Sequence, residues 1–134
     1  FTKLPALDLT KVEMSSALML KQLTLADVRD ILNAQVLNGE DLSIRVTAVG
    51  AADLLSDVLA TSKMGTLLLT GLVSPQVIRT AVVADLCGVV FVRGKKPGED
   101  ILALARESGV PVLCTQLKMF EAAGRLYMAL GDNK

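Results

Sequence analysis

The stretch LLLTGLVSPQVIRTAVVADLCGVVFV, Leu67 to Val92, decides the fold. It opens on an apolar run that ends at Thr70-Gly71, passes through Ser74-Pro75 into apolar residues at helical spacing, and closes on a second apolar run, Val89 to Val92. Neither run alternates polar with apolar residues. Unbroken apolar runs of this length predict strands covered on both faces, and so a mostly parallel sheet. The helix between them supplies the crossover that a parallel pair needs.

Outward from this unit the same grammar repeats. Thr66–Thr70, Gly88–Val92 and Pro111–Cys114 are predicted strands. Pro75–Asp85, Pro97–Ser108 and Leu117–Leu130 are predicted helices. Gly109 and Pro111 sit where a helix should stop and a strand begin. Upstream, Thr24 caps a helix with the stripe Leu25, Val28, Ile31 and Leu32, and Asp27 falls in its first turn. Gln35–Leu37 reads as a short strand closed by the turn signal Asn38-Gly39. Ile44, Val46 and Ala48 alternate, so Leu42–Val49 is expected to be a half-buried strand. Ala51–Thr61 has helical spacing and would place Asp53 in its first turn. The expected class is α/β, an open and mostly parallel sheet with helices on both faces.

Composition narrows the function more than it names one. The 134 residues suffice for one core, and 51% are hydrophobic but only 3% aromatic. Fourteen basic and fourteen acidic residues cancel, which argues against nucleic acid as a partner, since phosphate neutralisation needs clustered cations. The chain has no histidine, so Ser-His-Asp and Cys-His mechanisms and imidazole-rich zinc sites are excluded. Cys87 and Cys114 lie among apolar residues and read as buried thiols of a cytoplasmic protein. No apolar run is long enough to cross a membrane. No Walker, G-x-G-x-x-G or G-x-S-x-G motif occurs, so neither an enzyme nor a bound cofactor is expected. Residues 1–22 are expected to be a leader or linker, in part not native, with Met14 or Met19 as the natural start, and residues 23–134 to be the domain.

The loops that follow the strands should gather at the carboxyl edge of the sheet, where α/β proteins hold ligands. Gly50, Thr70, Gly71, Ser74, Arg93, Lys95 and Thr115 are the candidate binding residues there. Ser74 opens a helix whose free N–H groups suit a phosphate, although ordinary capping by Ser74 with Pro75 behind it accounts for the same residues. Arg93, Lys95 and Lys96 are the densest basic cluster, readable as an anion site or as a solvated turn; Arg79 is a possible supplement. Asp53 and Asp57, four apart, would share a helix face as a carboxylate pair or simply as solvated charges.

Three runs, AQVLNGEDLSIRVTAVGAADLLSDVLA, LLLTGLVSPQVIRTAVVADLCGVVFVRGKKP and GVPVLCTQLKMFEAAGRLY, together resemble the DRTGG domain. That domain is similar to the N-terminal domain of HPr kinase/phosphorylase and to the middle region of some phosphotransacetylases. The name-giving motif maps to Ile44-Arg45-Val46-Thr47-Ala48-Val49, where Arg45 and Thr47 are its remnant and the glycine pair is replaced. The resemblance implies a non-catalytic regulatory or assembly module, of a family found beside nucleotide-binding CBS domains. Two functions are then expected to compete. One is sensing of a small anionic metabolite, an adenine nucleotide or other phosphate-bearing compound. The other is self-association or docking on a protein partner without a small ligand, with a homodimer expected and Met119, Phe120, Leu126, Tyr127 and Leu130 as the apolar patch.

Overall fold

The structure, a computed structural model, describes residues 23–130. The leader expected over residues 1–22 lies outside the described residues. The elements follow in the order α1 (Leu25–Leu32), β1 (Gln35–Asn38), β2 (Ala48–Ala51), α2 (Leu55–Thr61), β3 (Thr66–Thr70), α3 (Pro75–Val83), β4 (Gly88–Phe91), α4 (Glu99–Ser108), β5 (Val112–Cys114) and α5 (Met119–Leu130). They build one five-stranded sheet ordered β1-β5-β4-β3-β2. Strands β2 to β5 are parallel, and β1 joins β5 antiparallel.

The winding explains the layers. From β2 to β5 every crossover steps to the next strand in the same direction, and right-handed crossovers of that kind put α2, α3 and α4 on one face. The other face is left to α1 and α5, which pack on each other. Strand alternation divides the core accordingly. Leu68, Val89, Phe91 and Val112 turn towards Val77, Ile78, Ile101 and Ala105. Leu67, Leu69, Val90 and Leu113 turn towards Val28, Leu32, Ala122 and Leu126. All five residues of β3 are buried, as an unbroken apolar strand requires. Each fully buried Leu or Phe contributes about 1.5–3 kcal/mol, so with few aromatics the stability is spread over many aliphatic side chains.

Helix α1 begins as its sequence predicts. The Thr24 hydroxyl accepts from Asp27 N–H at 3.2 Å, and Asp27 Oδ2 accepts from Thr24 N–H at 2.9 Å, a reciprocal capping box. Asn33 ends the helix in the left-handed region at φ 51°, where Asn is among the better tolerated residues.

Two expectations are corrected. The strand expected over residues 42–49 is displaced to Ala48–Ala51, and upstream of it only Arg45 pairs, in an isolated antiparallel bridge with Thr24. Ile44 and Val46 do alternate, but Leu25 N–H and Val46 N–H bond the Ile44 and Leu23 carbonyls across from the start of α1, so the segment is spent anchoring that helix. Helix α2 starts at Leu55 rather than Ala51, with no side-chain cap on Leu54. Asp53 therefore precedes the helix, and Asp53 and Asp57 do not share a helix face. The cause is a competing acceptor role for Asp53, described next.

Candidate functional site

Four loops leave the carboxyl ends of β2, β3, β4 and β5, and hydrogen bonds join them in turn. Asp53, two residues beyond β2, reaches the end of β3. Its Oδ1 accepts from the Thr70 hydroxyl at 2.9 Å and from Gly71 N–H at 2.8 Å. Thr70 is fully buried, and its hydroxyl also accepts from Leu72 N–H at 3.1 Å. The bond from Gly71 N–H, then that from Thr70, with help from the Arg93 charge, hold the Asp53 carboxyl below the usual carboxylate range.

Arg93 lies against the same turn. A Cβ built on Gly71 would stand 2.6 Å from Arg93 Nη2 and 3.2 Å from Nε, so the guanidinium rests on the Gly71 backbone in a space that only glycine leaves. Arg93 itself is left-handed at φ 61°, followed by Gly94 at φ 69°. A non-glycine residue there carries a conformational cost of about 1–3 kcal/mol. Two backbone bonds hold the conformation: Arg93 N–H to the Leu117 carbonyl at 2.8 Å and Gly94 N–H to the Thr115 carbonyl at 2.9 Å. They tie the loop after β4 to the loop after β5.

The other candidates divide. Lys95 and Lys96 are exposed beside Arg93, and among the described residues none of the three cations makes an ion pair within 4 Å. The Ser74 hydroxyl accepts from Gln76 N–H at 3.2 Å with Pro75 in the first turn of α3, so Ser74 performs the ordinary capping role. Thr115 is buried; its hydroxyl donates to the Leu32 carbonyl at 2.8 Å and accepts from Leu117 N–H. Both capacities of that side chain are used inside the fold. Gly50 lies within β2, not past its end, opposite Leu68. Arg79 donates to Gln76 on its own helix. The edge thus brings together Gly71, Arg93 and Lys95, and leaves Gly50, Thr70, Ser74 and Thr115 in structural roles.

The family-motif remnants stand at the opposite end of the strands. Thr47 precedes β2; its N–H meets the Gly65 carbonyl and its hydroxyl donates to the Met64 carbonyl at 3.2 Å. Arg45 is exposed in the bridge to Thr24. Asp53 is the residue whose role sequence reading missed: read as a carboxylate paired with Asp57 or simply solvated, it instead accepts from Thr70 and Gly71. Its position just past a strand on the functional edge was the available signal, masked by an apparent helix through Ala51–Thr61.

The single direction of winding from β2 to β5 leaves no reversal in strand order, so the edge lacks the switch-point crevice of doubly wound sheets. Any ligand held by Arg93 and Lys95 would lie on an open rim. Among the described residues no cluster of metal-ligating side chains occurs, and no helix is long and apolar enough to cross a membrane.

Comparison with known proteins agrees with this architecture. None of the curated proteins compared matches the chain. Among solved structures, the chain is similar to the CBS and DRTGG domains of the regulatory region of Clostridium perfringens pyrophosphatase, a structure complexed with the activator diadenosine tetraphosphate. The TM-score is 0.65 and the identity 18%, over 77% of this chain and 45% of that one. This chain spans less than half the length of that protein's structure, and the likeness is one of fold. The family model described as the DRTGG domain matches residues 27–129. The mixed sheet, its helical layers and this match across most of the length agree, and the chain belongs to the DRTGG domain family.

Proposed function

We propose that the chain is a non-catalytic regulatory module that binds a small anionic metabolite, with adenine nucleotides the leading class, and that it self-associates. The observation that carries the reading is Arg93. It holds a costly left-handed backbone at the carboxyl edge, its guanidinium lies on Gly71, and Lys95 and Lys96 follow with no ion-pair partner among the described residues. Strain kept at a ligand edge is a pointer to function. Three cations on one rim can meet a polyphosphate without a deep pocket. The resemblance in fold to the regulatory region of a pyrophosphatase complexed with diadenosine tetraphosphate supports the same ligand class. A cytoplasmic location goes with the two free thiols, Cys87 and Cys114.

Thermal denaturation against AMP, ADP, ATP, diadenosine tetraphosphate and inorganic phosphate tests it. A ligand at a hundred times its dissociation constant adds about 2.7 kcal/mol to stability. The gain should vanish in an Arg93→Ala, Lys95→Ala double variant. No stabilisation by any of these anions overturns the sensing part.

A second reading, a docking or oligomerisation module without a small ligand, is favoured by helix α5. Phe120 is 90% and Met128 78% exposed, and two bulky apolar side chains on one exposed helix suit an interface. Leu126, by contrast, is fully buried and seals the sheet. Light scattering at micromolar concentrations separates the outcomes. A dimer lost in Phe120→Asp supports self-association through α5; a monomer at every concentration removes it.

A further inference from the structure

We propose that a second copy of the chain docks on α5 as an antiparallel helix pair, with the twofold axis passing between Ala123 and Gly124; the inference rests on the self-association reading and adds the face, the direction and the contacts. Gly124 is the first observation. It sits in the middle of a helix of 12 residues, where glycine is the least favourable residue after proline. Nothing in the fold calls for it there. Among the described residues, a Cβ built on Gly124 meets nothing within 4 Å. A glycine that its own chain does not crowd is accounted for by the close approach of a backbone from outside.

The surroundings of Gly124 have the shape of a docking groove. Val49 and Ala51 of β2 and Phe120, Gly124, Tyr127 and Leu130 of α5 line an apolar hollow of about 380 Å³. Helical spacing puts Phe120, Gly124 and Tyr127 on one stripe, and Phe120 is 90% and Tyr127 60% exposed. Along that stripe the sizes run large, small, small, large, from Phe120 through Ala123 and Gly124 to Tyr127. This order reads the same from either end of the helix. A reversed copy centred on the small pair therefore sets Phe120 against the partner's Tyr127, and Tyr127 against the partner's Phe120. Such reciprocal contacts are what a twofold interface requires. The small residues let the two backbones come close at the crossing, and the aromatic pairs close over it on either side.

Charge selects the same arrangement. Glu121 and Arg125 lie together on one flank of the stripe, joined within the helix at 3.0 Å and still 53% and 45% exposed. A twofold axis perpendicular to the helix pair brings like flanks together. Reversal about Ala123 and Gly124 then sets Glu121 within one residue's rise, about 1.5 Å along the axis, of the partner's Arg125. Arg125 meets the partner's Glu121 in the same way, so opposite charges face each other twice. One helix face per copy is small beside the about 800 Å² a side of a standard interface. The dimer is therefore expected to dissociate on dilution.

Sedimentation velocity over a dilution series of the full chain, with far-UV circular dichroism to follow the fold, tests this. The parent should dimerise. Glu121→Arg and Arg125→Glu should each weaken the dimer about tenfold, because each turns two attractions into two repulsions. An equimolar mixture of these two variants should associate as the parent does. In the mixed dimer every contact across the interface is again between opposite charges, while each helix keeps its broken internal pair. Gly124→Leu points into open space in the single chain and favours the helix, so it should stay folded and lose the dimer. A parent dimer indifferent to all of these variants overturns this interface and leaves self-association to another face. A mixture no tighter than its components overturns the antiparallel direction. A parent that is monomeric at every concentration overturns both this inference and the self-association reading, and the thermal response to anions decides the sensing part separately.

Discussion

The Asp53 carboxylate accepts the Thr70 hydroxyl at 2.9 Å, so the first residue group beyond β2 is fastened to the last residue of β3. The same oxygen accepts Gly71 N–H, and the Arg93 charge bears on it. One side chain thus fastens the loop after β2 to the Thr70-Gly71 turn on which Arg93 rests.

Removing it has a signed pH consequence. The Asp53 carboxyl titrates lower in the folded chain than in the unfolded one. Its contribution is therefore complete above the unfolded value of about 3.9 and is lost as pH falls through the lower folded value. Asp53→Asn should lower stability at pH 7 by about 1 kcal/mol, and the gap to the parent should narrow below about pH 4. Thermal melts at pH 7 and pH 3 measure this; a gap that widens in acid contradicts the assignment.

Gly71→Ala separates stability from binding. Its new methyl meets only the far end of Arg93, a flexible side chain that can swing away, and Gly71 is not among the positive-φ residues. Stability should change by no more than about 0.5 kcal/mol, while any nucleotide-induced thermal shift falls sharply. An unaltered shift would show that Arg93 is not the anchor.

Thr115→Val should do the opposite. The hydroxyl is the donor to the Leu32 carbonyl at the end of α1 and the acceptor for Leu117 N–H. Leaving the buried Leu32 carbonyl and the part-buried Leu117 N–H without it should cost about 1–3 kcal/mol. Anion affinity, measured by titration calorimetry below the lowered melting temperature, should stay as in the parent.

Cys87 should be slow to react. Burial pushes its thiol up to about 11, so little thiolate exists at neutral pH and the nucleophile is scarce. Alkylation of the folded chain at pH 7.5 should be at least tenfold slower than in urea, on the order expected from the thiolate fraction. Equal rates would show that the segment around Cys87 opens readily.

Much of this fold is legible because its signals are local and large. The run Leu67 to Thr70 becomes a strand buried along its whole length, and Ser74-Pro75 starts α3 as capping chemistry demands. Helix α1 announces itself through Thr24 and Asp27. Legibility fails between Asp41 and Leu54. There, alternation in Ile44 and Val46 and helical spacing from Ala51 are both real, yet long-range hydrogen bonds override them. The same holds for the candidate residues. Gly71 and Arg93 meet at one rim as the strand order implies, whereas Thr70 is taken by Asp53 and Thr115 by a carbonyl 83 residues away, which no local pattern encodes.

Residue order alone determined the class of the fold, because periodicity and chain punctuation act over a few neighbours. Only the tertiary structure decided which polar side chains remain available at the rim, because a hydroxyl or carboxylate bonds whatever donor or acceptor the fold brings within about 3 Å. For Asp53 and Thr115 those partners come from other elements of the chain.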